Sequence, residues 1–185
     1  MHVEWVISPP WGDDVESSLE VKDRRRPAIR PGQQVNFVLL EPHLIPPFDT
    51  ITSVAVVPFT PDGRIVAALL DRGVDLPGGH VQETERTIEE TARREVMEEV
   101  GITLKDLFAV NVIQSDYYGN TPEDLTYMVI LTAFVDEFQP FTPNLESKGR
   151  LVLDIEDFLA QYTAGDLERM RNMVMAAHIR LFGSA

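Results

Sequence analysis

The stretch "TIEETARREVMEEVGI", residues 87–102, constrains the fold most tightly, because it fixes a helix, its ends and its buried face together. Thr87 followed three residues later by Glu90 is a capping-box signature and predicts a helix starting at Ile88. Gly101 supplies the stop. At about 3.6 residues per turn, Ile88, Ala92, Val96 and Val100 form one apolar stripe, the face expected to meet a core. Glu89 with Arg93, and Glu90 with Arg94, are acid-first pairs four apart. A solvated ladder accounts for Glu89, Glu90 and Arg93 without any function.

Glu95, Glu98 and Glu99 do not fit that ladder. Glu95 and Glu99 are like charges four apart, which costs a helix a few tenths of a kcal/mol. Glu98 and Glu99 stand in the last turn, where the macrodipole disfavours anions by roughly 0.3–1 kcal/mol. All three project over an arc of about 100° bordering the apolar stripe. Arg94 can pair with Glu98 but cannot neutralise the set. Oxygen-only donors, with no cysteine or histidine near, point to Mg²⁺ or Mn²⁺ rather than zinc. The alternative is an accidental acidic patch at a helix end.

Upstream, "LPGGH" puts Gly78 and Gly79 just before the loop to the helix. A glycine pair is often no more than a turn. Next to a carboxylate-bound cation it suggests a phosphate or pyrophosphate site, because main-chain N–H groups can approach an anion closely there. A divalent ion could then bridge phosphate oxygens while a carboxylate takes a proton from water.

The rest of the chain sets bounds. With 185 residues, 44% of them hydrophobic, it suits one globular domain with an appended arm. It has no cysteine, so disulfides and thiolate metal sites are excluded, which fits a reducing cytoplasm. The start "MHVEWVISPPW" does not read as a signal peptide, and no segment reaches the roughly 18 apolar residues of a membrane span. A net charge of −14 disfavours coating a nucleic acid, whereas a small phosphorylated ligand stays compatible through a bound cation.

Seven of the thirteen prolines lie within residues 1–47, so residues 1–48 are expected to be an N-terminal arm packing on a core formed by 49–185. "TSVAVVPF" and "RIVAALL", joined by the turn "TPDG", predict two strands, as do "LFAVNVIQ" and "LTYMVILTAFV", joined by "SDYYGNTPED". "DIEDFLAQY" and "GDLERMRNMVMAAHIRLF" carry helical periodicity. Strands and helices in this order predict an α+β sandwich.

The segment Arg94-Glu95-Val96-Met97-Glu98-Glu99-Val100-Gly101-Ile102 resembles the second half of the Nudix (MutT-like) hydrolase signature, G-x5-E-x7-R-E-U-x-E-E-x-G-U, at every specified position. The resemblance implies the Nudix α/β/α sandwich with a mixed sheet. It assigns divalent metal to Glu95, Glu98 and Glu99, and to Arg94 the orientation of those carboxylates. The first half of the signature departs. Counting from Gly79 puts its glutamate at Glu85, but eight residues then separate Glu85 from Arg94; counting back from the helix puts Arg86 there. The extra residue lies in "HVQETER", and either a bulge brings Glu85 to the metal or Arg86 takes its place and retunes catalysis.

Other positions carry less support, some from the resemblance and some from the residues alone. Arg72 is similar to an arginine that touches substrate phosphate, against a surface salt bridge; the usual aromatic before the glycines is absent, with Asp75 nearby. Tyr117 and Tyr118 could stack on a base or cover the core edge. Asp116, Glu123 and Asp124 are candidates for an extra acid, Arg24 to Arg26 read as solvated surface, and His80 as a loop residue. The implied activity is a metal-dependent pyrophosphohydrolase for a nucleoside diphosphate linked to another group, a nucleoside triphosphate or a dinucleoside polyphosphate. Glu95, Glu98 and Arg94 are the catalytic set, with Arg72, Gly78, Gly79 and Tyr118 at the substrate. Which glutamate is the base stays open. Dimerisation is common in the family and makes a homodimer an expectation. The rival readings are a nucleotide-binding module with little turnover and, disfavoured by the absence of cysteine, an isomerase-like relative.

Overall fold

Alternation within the strands divides the apolar residues between two faces of one sheet. The computed structural model describes residues 37–116 and 125–183. In β2 (Ile51–Phe59) every residue is buried; Val54 and Val56 enter one core while Ala55, Val57 and Phe59 enter the other. β3 (Ile65–Leu70) repeats this, with Val66, Ala68 and Leu70 on the first face and Ile65 and Ala67 on the second. Strands buried on both faces read as continuous apolar runs, and these two do.

The sheet is mixed. Its order is β1 (Phe37–Leu40), β7 (Phe108–Ser115), β8 (Thr126–Phe138), β2, β3 and β4 (Gly73–Asp75). Only short strands leave this path: β5 (Gly78–His80) on β2, β6 (Ile102–Leu104) on β8, and β9 (Gly149–Leu153) on β3. β2 and β8 run parallel, and the other pairs are antiparallel. Helix α1 (Ile88–Val100) covers the first face; α2 (Ile155–Gln161) and α3 (Leu167–Phe182) cover the second. This is the α/β/α sandwich expected from the sequence.

The ends of α1 form as the sequence predicts. Thr87 accepts from Glu90 N–H, and the Glu90 carboxylate accepts from Thr87 N–H at 3.2 Å. Gly101 caps the other end in the left-handed region at φ 58°. Ala92, Val96 and Val100 are fully buried, with Ile88 packed against them. The exposed ladder is different from expectation. Arg93 donates to the carbonyls of Leu104 and Lys105 at 2.6 and 3.1 Å, because the chain leaving α1 folds back beside it.

Phe37–Leu40, within the stretch read as an arm, pairs with β7 as the outermost strand. Residues 1–36, with Arg24 to Arg26, and residues 117–124 lie outside the described residues.

Candidate active site

The site is built where the segment from β4 through β5 passes under α1. The glycines at 78 and 79 stand where a Cβ would collide, at 78 with backbone and at 79 with the end of a side chain. A Cβ on Gly78 would stand 2.6 Å from Ala55 Cα, and one on Gly79 would stand 2.7 Å from Cδ of Glu95. The first glycine lets β5 press on β2; the second leaves room for a carboxylate from the helix. Gly78 N–H donates to Oε2 of Glu99 at 2.8 Å, so the backbone and α1 meet directly.

Arg94 is the hub of the helix face. Its Nε donates to Glu85 Oε1 at 2.8 Å, and its Nη2 donates to the His80 carbonyl at 2.9 Å. Its Nη1 lies 2.8 Å from Glu95 Oε1 and 2.7 Å from Glu98 Oε2. Glu85 is fixed on its other oxygen by Gln82 N–H at 2.7 Å and by the Thr91 hydroxyl at 2.8 Å. The structure thus brings Glu85, Glu95 and Glu98 to one guanidinium and sends Glu99 to the glycines. Arg86 stays exposed, its Nη1 donating to the carbonyls of Glu83 and Glu85.

The electrostatics separate these acids. Burial pushes Glu95 up to about 8, with Glu99 and Glu98 adding to the rise against the pull of Arg94. Burial likewise pushes Glu99 up to about 8, although Gly78 N–H and the charge of Arg72 oppose it. Burial would raise Glu85 too, but the hydrogen bonds from Arg94, Gln82 N–H and Thr91 outweigh it and hold Glu85 below its ordinary range. Glu98, 39% exposed at its side chain, is the member open to solvent.

Among the described residues no three acids converge as a ready cage for a metal ion, since Arg94 stands between Glu95 and Glu98. The donor chemistry nevertheless fits a hard divalent cation. Three carboxylates, Glu85, Glu95 and Glu98, meet one guanidinium, and Glu99 stands apart from it on the Gly78 N–H, an all-oxygen donor set.

The remaining candidates scatter. Arg72 pairs with Asp75 at 2.9 Å, and the pair is not a surface one: the side chains are 25% and 9% exposed. His80 contributes its carbonyl, with its place in β5 set by pairing to Ser53. Asp116 follows β7, and Tyr117, Tyr118, Glu123 and Asp124 lie outside the described residues. Sequence reasoning missed Thr91 and Gln82, which anchor Glu85, and Asn144, whose Nδ2 donates to the Glu98 carbonyl at 2.8 Å. Thr91, a hydroxyl beside the apolar stripe of α1, was the one signal available.

Comparison with known proteins agrees with this fold. The family model described as NUDIX domain matches residues 49–173. No curated protein matches the sequence. A mutant of the Bacillus subtilis pyrophosphohydrolase BsRppH is similar in structure, with TM-score 0.56 and 22% identity, covering 80% of this chain and 88% of that one. A NUDIX hydrolase from Nitrosomonas europaea gives TM-score 0.53 and 18% identity over 70% of this chain and 90% of that one. The NUDIX domain of Shewanella oneidensis NrtR, complexed with ADP ribose, gives 0.53 and 15% over 68% and 86%. These likenesses show the fold. The family match takes in α1 and every strand of the sheet but β1, well over half the chain, and so the chain belongs to the Nudix family of hydrolases.

Proposed function

We propose that this chain is a divalent-cation-dependent pyrophosphohydrolase for a nucleoside diphosphate linked to another moiety. The observation that carries the reading is the buried pair Glu95 and Glu99, both lifted to about 8, set against the Gly78–Gly79 backbone. Glu95, Glu98, Glu99 and Glu85 would hold Mg²⁺ or Mn²⁺, which supplies charge neutralisation at the phosphate oxygens and an acidified water. Arg94 orients Glu85, Glu95 and Glu98 through its Nε and Nη1. Gly78 N–H fixes the plane of the Glu99 carboxylate. Glu98 has the solvent access to accept a proton from water. Arg72 reaches phosphate from the β3–β4 turn, and Tyr118 is kept as a base contact. ADP-ribose, the ligand of the NrtR domain, belongs among the substrates to be screened, with nucleoside triphosphates and dinucleoside polyphosphates. The cysteine-free composition suits a reducing cytoplasm, and no helix among the described residues is long and apolar enough to cross a membrane. A homodimer is the assembly to test.

One observation favours a second reading. Arg94 Nη1 already bridges Glu95 and Glu98, as it would in a binding module with little turnover. A phosphate-release screen across nucleotide classes with Mg²⁺ or Mn²⁺, coupled to inorganic pyrophosphatase for triphosphates and to a phosphomonoesterase for substrates without a terminal phosphate, wild type beside Glu99→Gln, separates the two. Release by wild type with a loss of about 10²–10⁴ in the folded variant supports the hydrolase. Nucleotide binding without release by wild type leaves the module.

A further inference from the structure

Asp75 carries a buried carboxylate for which the reaction above has no use. It ends β4 opposite Ala68 of β3, between Val74 and Leu76, both buried. Each oxygen is engaged from its own segment: Arg72 Nε donates to Oδ2 at 2.9 Å, and Leu76 N–H donates to Oδ1 at 2.8 Å. Burial raises the Asp75 carboxyl above its ordinary range against the pull of Arg72, so the anion is kept here at a cost. A buried ion pair is a poor stabiliser, because desolvation cancels much of the Coulomb gain, and an apolar side chain would serve the packing at least as well.

What the pair secures is direction. Arg72 sits in the tight turn into β4, where Gly73 takes φ 113°. A guanidinium held through one N–H by a fixed carboxylate keeps the plane of its fork, which is the property that matches phosphate oxygens. The same segment continues three residues on to Gly78, whose N–H meets Glu99. Arg72, Asp75 and Gly78 therefore lie on one short segment, which the Gly78–Glu99 hydrogen bond ties to the Glu99 end of the site.

We propose that Asp75 is a positioning residue that holds the Arg72 guanidinium at the Glu99 end of the site to receive a phosphate group of the nucleotide. The inference rests on the hydrolase reading and narrows it, by saying which acid fixes the phosphate contact.

The test uses the full chain in four forms: wild type, Asp75→Asn, Arg72→Gln and the double variant. Asparagine keeps the volume and an acceptor oxygen but not the charge. KM and kcat are measured on the best substrate of the phosphate-release screen, and the Kd of ADP is measured with Mg²⁺ by calorimetry. Each single variant is expected to raise KM and the ADP Kd by about tenfold, with kcat changed by less than about threefold. The double variant is expected to be no worse than Arg72→Gln, since the acid acts through the arginine. Loss of folded protein alone would lower kcat per mole and leave KM in place. Wild-type KM and Kd in Asp75→Asn, or effects that multiply in the double variant, overturn the proposal. If wild type releases no phosphate the hydrolase reading falls, and the ADP Kd alone then decides the role of the pair; failure of wild type to bind ADP overturns it too.

Discussion

The guanidinium of Arg94 meets the carboxylate of Glu85 at 2.8 Å across a loop one residue longer than the family signature allows. The extra residue is absorbed in a tight turn, closed by Glu85 N–H on the Gln82 carbonyl at 3.1 Å and by Gln82 N–H on the Glu85 carboxylate at 2.7 Å. The turn keeps Glu85 inside while Arg86 points out.

That relationship predicts opposite sensitivities for neighbouring residues. Glu85→Gln removes the charged partner of Arg94 from a buried position and should cost about 2 kcal/mol. For a chain of this size that is a fall of roughly 5 °C in Tm. Arg86→Ala, at an exposed residue, should cost no more than about 0.5 kcal/mol. Thermal unfolding of the two variants checks this; a larger loss for Arg86→Ala would put the arginine, not the glutamate, at the heart of the loop.

The raised Glu95 and Glu99 predict how stability depends on pH without metal. In the unfolded chain both acids titrate near 4.5, and in the folded chain at about 8. Between those values the folded state holds more protons. Their contribution is therefore fully present below pH 4.5 and is lost as pH rises through 8. The metal-free protein should lose Tm from pH 5.5 to 8.5, and Mn²⁺ or Mg²⁺ should restore more of it at pH 8.5 than at 6. Glu99→Gln should flatten the metal-free profile. A wild-type Tm that climbs over this range would mean that these acids are ionised and compensated in the fold.

The glycine pair predicts a separation of fold from function. A Cβ at 78 meets the backbone of β2, which cannot yield, so Gly78→Ala should lose about 3 kcal/mol or more. A Cβ at 79 meets the end of the Glu95 side chain, which can swing away. Gly79→Ala should thus unfold within about 1 kcal/mol of wild type and yet lose roughly 100-fold in kcat as Glu95 is displaced. Circular dichroism melts and phosphate release on both proteins decide it; equal loss of stability in the two would deny Glu95 its place against Gly79.

How much of this was readable in the sequence depends on range. The limits of α1 follow from Thr87, Glu90 and Gly101, whose signals act within one turn, and its buried face follows from a period of 3.6 residues. β2, β3, β7 and β8 are long enough to show themselves. β4, β5 and β6 hold three residues each, too few for any period, and depend on partners far away in the chain. The same limit applies to the site. Arg94 with Glu98 is an i,i+4 pair and was foreseen. The bonds of Arg94 to Glu85 and the His80 carbonyl, and of Glu99 to Gly78, depend on where β5 passes under the helix. The solvated ladder failed at Arg93 for that reason too: a non-local carbonyl outcompeted a nearby carboxylate.

Why α1 tolerates Glu98 and Glu99 in its last turn has an answer beyond metal. Arg150, from β9, donates through Nη1 to the carbonyls of Val100 at 3.0 Å, Gly101 at 2.9 Å and Gln139 at 3.2 Å. Its guanidinium also lies 4.9 Å from the centre of the Phe138 ring. A cation at the C-terminus satisfies orphan carbonyls and offsets the negative end of the dipole, the end those acids aggravate. Arg150→Met should cost about 2 kcal/mol, because at least two part-buried carbonyls lose a charged donor. Arg150→Lys should recover less than half of that, since an ammonium cannot reproduce the planar contact with Phe138 while serving the carbonyls. Combining Arg150→Met with Glu98→Gln should cost less than the sum of the single changes, as the helix end then carries one anion fewer. Urea unfolding of the four proteins measures this, and strict additivity would show that Arg150 works through packing rather than through charge.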